Sequence, residues 1–321
     1  MPNKKLFDSG FSAWTTKQLP DLSGKLFVIT GGNCGIGFEA ARHLAKAGAN
    51  LVLACRDKEK AYSAIRTLQM NYNSNAKVVQ LDLSDLSSVR AAAAELREKH
   101  AKIDGLLNNA GVMQTPQQRT KDDFEMQLGT NHLGHFLLTG LLIDLVEAAK
   151  GRVVTVSSIA HLPGVINFDD IMLDKGYTPS KAYSQSKLAN LMFALELDRR
   201  LQAVGMSASS LACHPGYTST NLVTAGPTGL LRLFYRIVTP FAQSGQEGAV
   251  PTVLCAAGTE AKSGGYYGPQ LLCGLRGRVS DAVVSERAKD TRAQEHLWAI
   301  SEALVKHKWH IGTSANCGSK N

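Results

Sequence analysis

No stretch of the chain reaches about 18 uninterrupted apolar residues, the length a membrane-crossing helix needs, so no transmembrane span is expected. The first residues, Met1-Pro2-Asn3-Lys4-Lys5, are charged but lead into no apolar run, which argues against a secretory signal. The six cysteines stand apart at positions 34, 55, 213, 255, 273 and 317, with no Cys-x-x-Cys pair. That scatter argues against a zinc site and a disulfide framework, and it favours a reducing, cytoplasmic setting. Lys and Arg outnumber Asp and Glu by 35 to 27, but they are dispersed rather than run together. A nucleic-acid partner is therefore not expected; the surplus reads as solubility charge or as attraction for a phosphorylated cofactor. Four histidines, His132, His135, His161 and His214, have no acidic residue at metal-triad spacing, so no metal is expected and they read as structural or substrate-lining. There is no repeat, no low-complexity tract and no linker. At 321 residues and 44% hydrophobic content the chain can bury one large core.

What is present is an alternation. Short β-branched runs at 26–30, 50–55, 77–81, 105–108, 151–156, 206–211 and 265–267 read as strands. Between them, helical patterns cover 38–47, 58–71, 87–100, 124–149, 182–204 and 245–257, and a last one covers about 290–308. Strands alternating with helices imply right-handed crossovers and a parallel sheet covered on both faces. Near-continuous apolar strands agree, because a strand buried on both faces need not alternate. The expectation is an α/β, doubly wound, Rossmann-type single domain over 1–321. Residues 1–24 form an N-terminal arm whose Phe7, Phe11 and Trp14 dock on the body, and 311–321 a frayed tail.

Thr30-Gly31-Gly32-Asn33-Cys34-Gly35-Ile36-Gly37 follows the first strand and opens a helix. Glycines there let backbone approach a pyrophosphate, and the helix N-terminus offers free N–H groups. At the end of the second strand, where an NAD site carries a carboxylate, the chain reads Cys55-Arg56. An arginine suits a 2′-phosphate, which favours NADP(H) over NAD(H). Asp57 beside it is read as the cap of the next helix. Asp82-Leu83 and Asn109-Ala110-Gly111 end the third and fourth strands, where open α/β sheets bind ligands.

Tyr183 and Lys187 lie four apart on one helix face. A free tyrosine ionises near pH 10, and a close ammonium favours the phenolate; a shift of about 3 pH units takes about 4 kcal/mol. Ser157-Ser158 ends a strand, Asn131 lies in the preceding helix, and His214-Pro215-Gly216-Tyr217-Thr218-Ser219-Thr220 follows the next strand.

In this order the motifs resemble the short-chain dehydrogenase/reductase family over roughly residues 20–270. Ala54-Cys55-Arg56, Val156-Ser157-Ser158-Ile159-Ala160-His161 and Tyr183-Ser184-Gln185-Ser186-Lys187-Leu188-Ala189-Asn190 are similar to its retinol dehydrogenase-like branch, which also contains WW-domain oxidoreductases. The long spacing from Ser158 to Tyr183 is similar to that branch too. The resemblance implies that Tyr183 is the general acid in reduction and the base in oxidation. Lys187 lowers its pKa and binds the nicotinamide ribose, Ser158 orients the substrate carbonyl, and Asn131 holds a water that links Lys187 to solvent. Asn109 supports the cofactor, with Pro215, Gly216, Thr218 and Thr220 along the nicotinamide and pyrophosphate. Gly31, Asn33, Cys34, Gly35, Ile36, Gly37, Arg56, Asp82, Leu83, Ala110 and Gly111 complete the cofactor set. Two departures stand out: Cys34 replaces the basic residue of many NADP-dependent relatives, and no long apolar anchor begins the chain.

Residues 222–244 carry leucines, aromatics and two arginines. They read as a lid over an apolar aldehyde, ketone or alcohol, as a peripheral membrane patch, or as a helix packed on the body or a subunit contact. The resemblance admits a homodimer or homotetramer through the helices carrying Asn131 and Tyr183. The expected function is NADP(H)-dependent interconversion of an apolar carbonyl compound and its alcohol. The alternative is a non-catalytic NADP(H)-binding redox sensor or scaffold.

Overall fold

A computed structural model describes residues 4–218 and 243–312. Sheet formation starts from β2 (Leu26–Thr30), in which Phe27 through Thr30 are all buried. Around it stand β3 (Asn50–Cys55), β4 (Ala76–Gln80), β5 (Gly105–Asn108), β6 (Arg152–Val156), β7 (Ser209–Cys213), β8 (Tyr266–Leu271) and β9 (Arg276–Asp281), in the order β4-β3-β2-β5-β6-β7-β8-β9. All neighbours are parallel except β8 and β9, which form an antiparallel hairpin. The parallel sheet expected from the sequence thus carries one antiparallel edge.

Helices cover both faces. α1 (Gly35–Lys46), α2 (Lys58–Tyr72) and α6 (Gly245–Ala257) lie on one side, where Leu44, Leu68 and Val253 join Ile29 and Leu53 in one core layer. α3 (Leu86–Lys99), α4 (Gly134–Ala148), α5 (Pro179–Ala203) and α7 (Thr291–Val305) lie on the other. There Phe136, Phe193, Trp298 and Trp309 form an aromatic cluster with centroids 4.7–6.0 Å apart. Strand order leaves β2 in opposite directions, toward β3 on one side and β5 on the other. That reversal opens a crevice at the carboxyl ends of β2 and β5, where such sheets bind ligands.

The arm packs on the body. β1 (Lys4–Lys5) pairs with β10 (Val283–Val284), Trp14 bridges to Val279, and Phe11 stacks on Tyr267 at 5.8 Å.

Several boundaries differ from the sequence reading, each for a physical reason. The strand expected at 206–211 runs Ser209–Cys213, because Met206 N still bonds Leu201 O and the Ser207 and Ala208 amides are held by Glu147. The strand expected to end at 267 continues into the β8–β9 hairpin, whose second strand starts Arg-Gly-Arg and is exposed there. The helix expected over 124–149 is divided into a turn Met126–Leu128, a π turn Gly129–Leu133 and α4. α5 starts earlier than expected, with Thr178 capping Lys181 N and Pro179 in its first turn. The segment proposed as a lid, 222–244, lies outside the described residues except for Gln243 and Ser244; of the tail, only Ile311 and Gly312 are described. Among the described residues no helix is long and apolar enough to cross a membrane.

Candidate active site

The crevice is a cleft of about 360 Å³. Its floor is the turn from β2 into α1. Gly31 takes a left-handed φ of +64°, which a side chain would strain. A Cβ on Gly37 would strike Asn109 Nδ2 and the Gly31 carbonyl. α2, α3, α5, α6 and α7 each have a side chain capping their first turn. α1 has none: Cys34 precedes it in extended backbone and makes no capping bond. Its first N–H groups are therefore open toward the cleft, as an anion-binding helix end requires.

Gly31, Asn33, Cys34, Gly35, Ile36 and Gly37 line this end, with Arg56, Asp82, Leu83, Asn109, Ala110 and Gly111. Lys60 also lines it and was not singled out from the sequence; its signal was its place four residues after Arg56, one turn into α2. Asp57 caps α2 by accepting from Lys60 N and pairs with Lys60 Nζ at 3.1 Å. These bonds hold its carboxyl below the usual range and turn its charge toward Lys60. Cys34 and Cys55 are free thiols whose burial raises their pKa, Cys55 to about 12, so neither is a thiolate at neutral pH.

The other end holds Tyr183, Lys187, Ser157, Thr130 and Pro215. Lys187 Nζ lies 5.9 Å from the Tyr183 ring centroid and donates to Val156 O at 3.0 Å. Lys187 is 4% exposed, and burial lowers its pKa to about 8. Asn131 stands in the π turn with its side chain fully engaged. Its Oδ1 accepts from Val112 N at 2.8 Å, and its Nδ2 donates to Val112 O and Ser186 Oγ, both at 2.9 Å. A Cβ on Gly111 would meet Asn131 Oδ1 at 2.9 Å and Lys187 Nζ at 3.7 Å, so the two side chains converge there.

The structure separates the two serines. Ser157 is buried on the cleft wall and its Oγ donates to Lys187 O at 2.7 Å. Ser158 does not line the cleft; its Oγ accepts from Ala160 N at 3.1 Å, capping the turn Ile159–His161. A hydroxyl that accepts there keeps its proton for a carbonyl oxygen. Of the Pro-Gly segment, Pro215 reaches the cleft. Gly216 and Thr218 do not line it: Gly216 backs onto Leu275 O, and Thr218 Oγ1 donates to Pro215 O at 3.1 Å. Thr220 lies outside the described residues. Among the described residues no group of His, Cys, Asp or Glu is arranged to hold a metal. His161 and His214 are buried and neutral, pushed to about 4 and about 3.

The profile of the short chain dehydrogenase family matches residues 25–228. Human retinol dehydrogenase 12 is 41% identical over 312 residues, covering 96% of this chain and 94% of that protein. Human retinol dehydrogenase 13 is 40% identical over 299 residues, covering 88% and 85%. Among solved structures, an uncharacterized protein from Mycobacterium paratuberculosis is 41% identical, with a TM-score of 0.78 over 93% of this chain and all of that one. L-Sorbose reductase from Gluconobacter frateurii, complexed with NADPH and L-sorbose, shares the fold at 22% identity and a TM-score of 0.61, covering 78% of this chain and 95% of that one.

Proposed function

The chain belongs to the short-chain dehydrogenase/reductase family, in its retinol dehydrogenase branch, and from that premise and the cleft we propose an NADP(H)-dependent oxidoreductase that interconverts an apolar aldehyde or ketone and its alcohol. The observation that carries the reading is that one cleft joins Tyr183 and Lys187 to an uncapped helix end and to Arg56 and Lys60.

The residues present fit the cofactor. A side chain at Gly37 would fill the cradle, the α1 amides would hold a pyrophosphate, and Arg56 with Lys60 would receive a 2′-phosphate. When bound, the nicotinamide supplies or takes the hydride. Tyr183 protonates the carbonyl oxygen during reduction and takes the proton back during oxidation. Lys187 keeps a positive charge beside it below about pH 8, which favours the phenolate. Ser158 stands one residue beyond the lining Ser157 with its hydroxyl proton unspent, and in this reading it offers that proton to the same oxygen from the rim of the cleft. The relatives named for retinol, an apolar alcohol, agree with an apolar substrate.

The test is NADPH oxidation at 340 nm against medium-chain aldehydes, aromatic ketones, quinones and retinal, repeated with NADH and with Tyr183→Phe. Turnover with NADPH that falls by about 10²-fold or more in Tyr183→Phe, with NADPH binding retained, supports the reading. Tight NADPH binding without turnover on any substrate refutes it in favour of a nucleotide-binding sensor.

A further inference from the structure

His135 lies on α4, one residue into the helix that follows the π turn, and is 1% exposed. Its two ring nitrogens reach in opposite directions. Nδ1 is 2.9 Å from Asn131 O, and Nε2 is 2.9 Å from Thr30 Oγ1.

Counting protons settles the state of the ring. A carbonyl oxygen can only accept, so Nδ1 carries the hydrogen. Thr30 Oγ1 already accepts from Asn109 N and Ala110 N, both at 2.9 Å, which uses both of its lone pairs. Its one proton then goes to Nε2, since Leu107 O is the more distant acceptor at 3.2 Å. A second ring proton would meet a hydroxyl with no lone pair left. Burial, aided by the Lys187 charge, keeps the ring neutral by pushing its pKa down to about 4. His132, three residues earlier, has no such span. Its Nε2 meets Ser301 Oγ of α7, and its Nδ1 has no partner.

One end of the ring meets a backbone carbonyl of the π turn, and the other meets a hydroxyl that holds cleft-wall backbone. Thr30 ends β2 where the glycine turn begins, and its hydroxyl pins the first residues after β5, Asn109 and Ala110, in the cleft wall. Asn131 O belongs to the π turn, where the i+4 ladder is broken and Gly134 N reaches back to Gly129 O. The resemblance gives Asn131 a water that links Lys187 to solvent; its side chain is spent on Val112 and Ser186, so that water would fall to the carbonyl's second lone pair.

We propose that His135 is a positioning residue: as a neutral Nδ1–H tautomer it ties the Asn131 carbonyl of the π turn to the Thr30 hydroxyl that holds the cofactor-facing Asn109–Ala110 turn. Seating of the cofactor and alignment of the proton path are then set by one ring. The inference rests on the oxidoreductase reading and assigns a residue that the reading does not use.

The experiment compares His135→Leu, His135→Asn, Thr30→Val and the double variant Thr30→Val/His135→Leu, reading the Kd for NADPH by fluorescence, and kcat. Leu removes both bonds and is expected to raise the Kd and lower kcat, each about tenfold. Asn keeps a donor where Nδ1 stood, so it is expected to restore kcat to within about threefold of wild type and to leave the Kd raised. Thr30→Val is expected to raise the Kd at least as much as Leu does, since Asn109 N and Ala110 N also lose their acceptor, and the double variant no further than Thr30→Val, because the bonds form one chain. A role in packing alone would make the smaller, polar Asn worse than Leu in both constants, and that result overturns the proposal. So do a Kd and kcat within about twofold of wild type in all variants.

Nitrogen-15 NMR of the ring in the ligand-free protein needs no turnover and no variant that folds. The expected signature is an Nδ1–H neutral tautomer that does not titrate above about pH 5. An Nε2–H tautomer, or a charged ring at neutral pH, overturns the proposal. Wild-type protein that binds no NADPH overturns both the oxidoreductase reading and the positioning role. Wild-type binding with variants that bind and turn over equally well overturns the positioning role alone.

Discussion

Lys187 makes the cleft less stable than an apolar residue would, and the cost depends on pH in a way that can be measured. The ammonium is buried, and its pKa falls from 10.5 to about 8, mainly through lost hydration and partly offset by the neighbouring Cys213. That drop corresponds to about 3 kcal/mol between the charged and neutral forms. The sign follows from proton counting. Between about pH 8 and 10.5 the unfolded lysine holds a proton that the folded one has released, so stability rises with pH across that window. Below about pH 8 the full penalty is present. Replacement by Met keeps the stem length and removes the charge, and Val156 O is not orphaned because Asn190 Nδ2 still donates to it at 3.1 Å. Urea unfolding followed by tryptophan fluorescence would give the stability gap between Lys187→Met and wild type at pH 7 and pH 9.5. The variant is expected to gain relative to wild type at pH 7. The gap should shrink by about 2 kcal/mol by pH 9.5, that is, 1.5 pH units above the folded pKa. Repeating the pair in a Cys213→Ser/Tyr183→Phe background removes the neighbouring thiol and phenol that could titrate in the same window. A gap that stays constant with pH, or widens, refutes the account of Lys187 as a buried charge.

The remaining predictions probe the cofactor end and the core. Arg56→Ala should raise the KM for NADPH by about tenfold or more and leave that for NADH nearly unchanged, as loss of a charge-assisted bond to a 2′-phosphate requires; equal losses with both cofactors would refute the assignment. Gly37→Ala should keep the fold, read by circular dichroism, and weaken NADPH binding at least about tenfold, because the new methyl displaces Asn109 or the Gly31 carbonyl. Unaltered NADPH titration by that variant would mean the turn is not a cradle. Phe136→Ala opens a cavity among Phe193, Trp298 and Trp309 and should cost about 3–5 kcal/mol in urea unfolding.

The parts of this molecule that were legible in sequence are those in which one local rule acts alone. β2 reads as a strand because each of its residues from Phe27 onward is buried in a parallel sheet, which leaves an unbroken apolar run. The glycine turn reads as a nucleotide loop because a left-handed φ and close backbone approach both demand glycine. Tyr183 and Lys187 read as a pair because the helical repeat alone sets their spacing. The parts that stayed hidden depend on what lies across the fold. β9 begins with Arg276-Gly277-Arg278, which carries no apolar signal because an edge strand need not be buried along its length. The π turn at Gly129–Leu133 inserts no unusual residue type; its first glycine is packed so closely on Thr120 and Phe124 that a Cβ would strike them, a contact no helical periodicity reports. Ser157 and Ser158 are adjacent and chemically identical, and only the paths of β6 and α5 decide which one bonds Lys187 O and which keeps its proton. The two histidines of the Asn131-His132-Leu133-Gly134-His135 segment are likewise equivalent in sequence. One ends on the buried hydroxyl of Ser301 in α7 and the other on the hydroxyl of Thr30, each more than 100 residues away along the chain. A motif search sees such residues as spacers. Donor and acceptor accounting separates them, because a buried imidazole has two nitrogens and each must find a partner of the right sense or lower the ring's affinity for a proton.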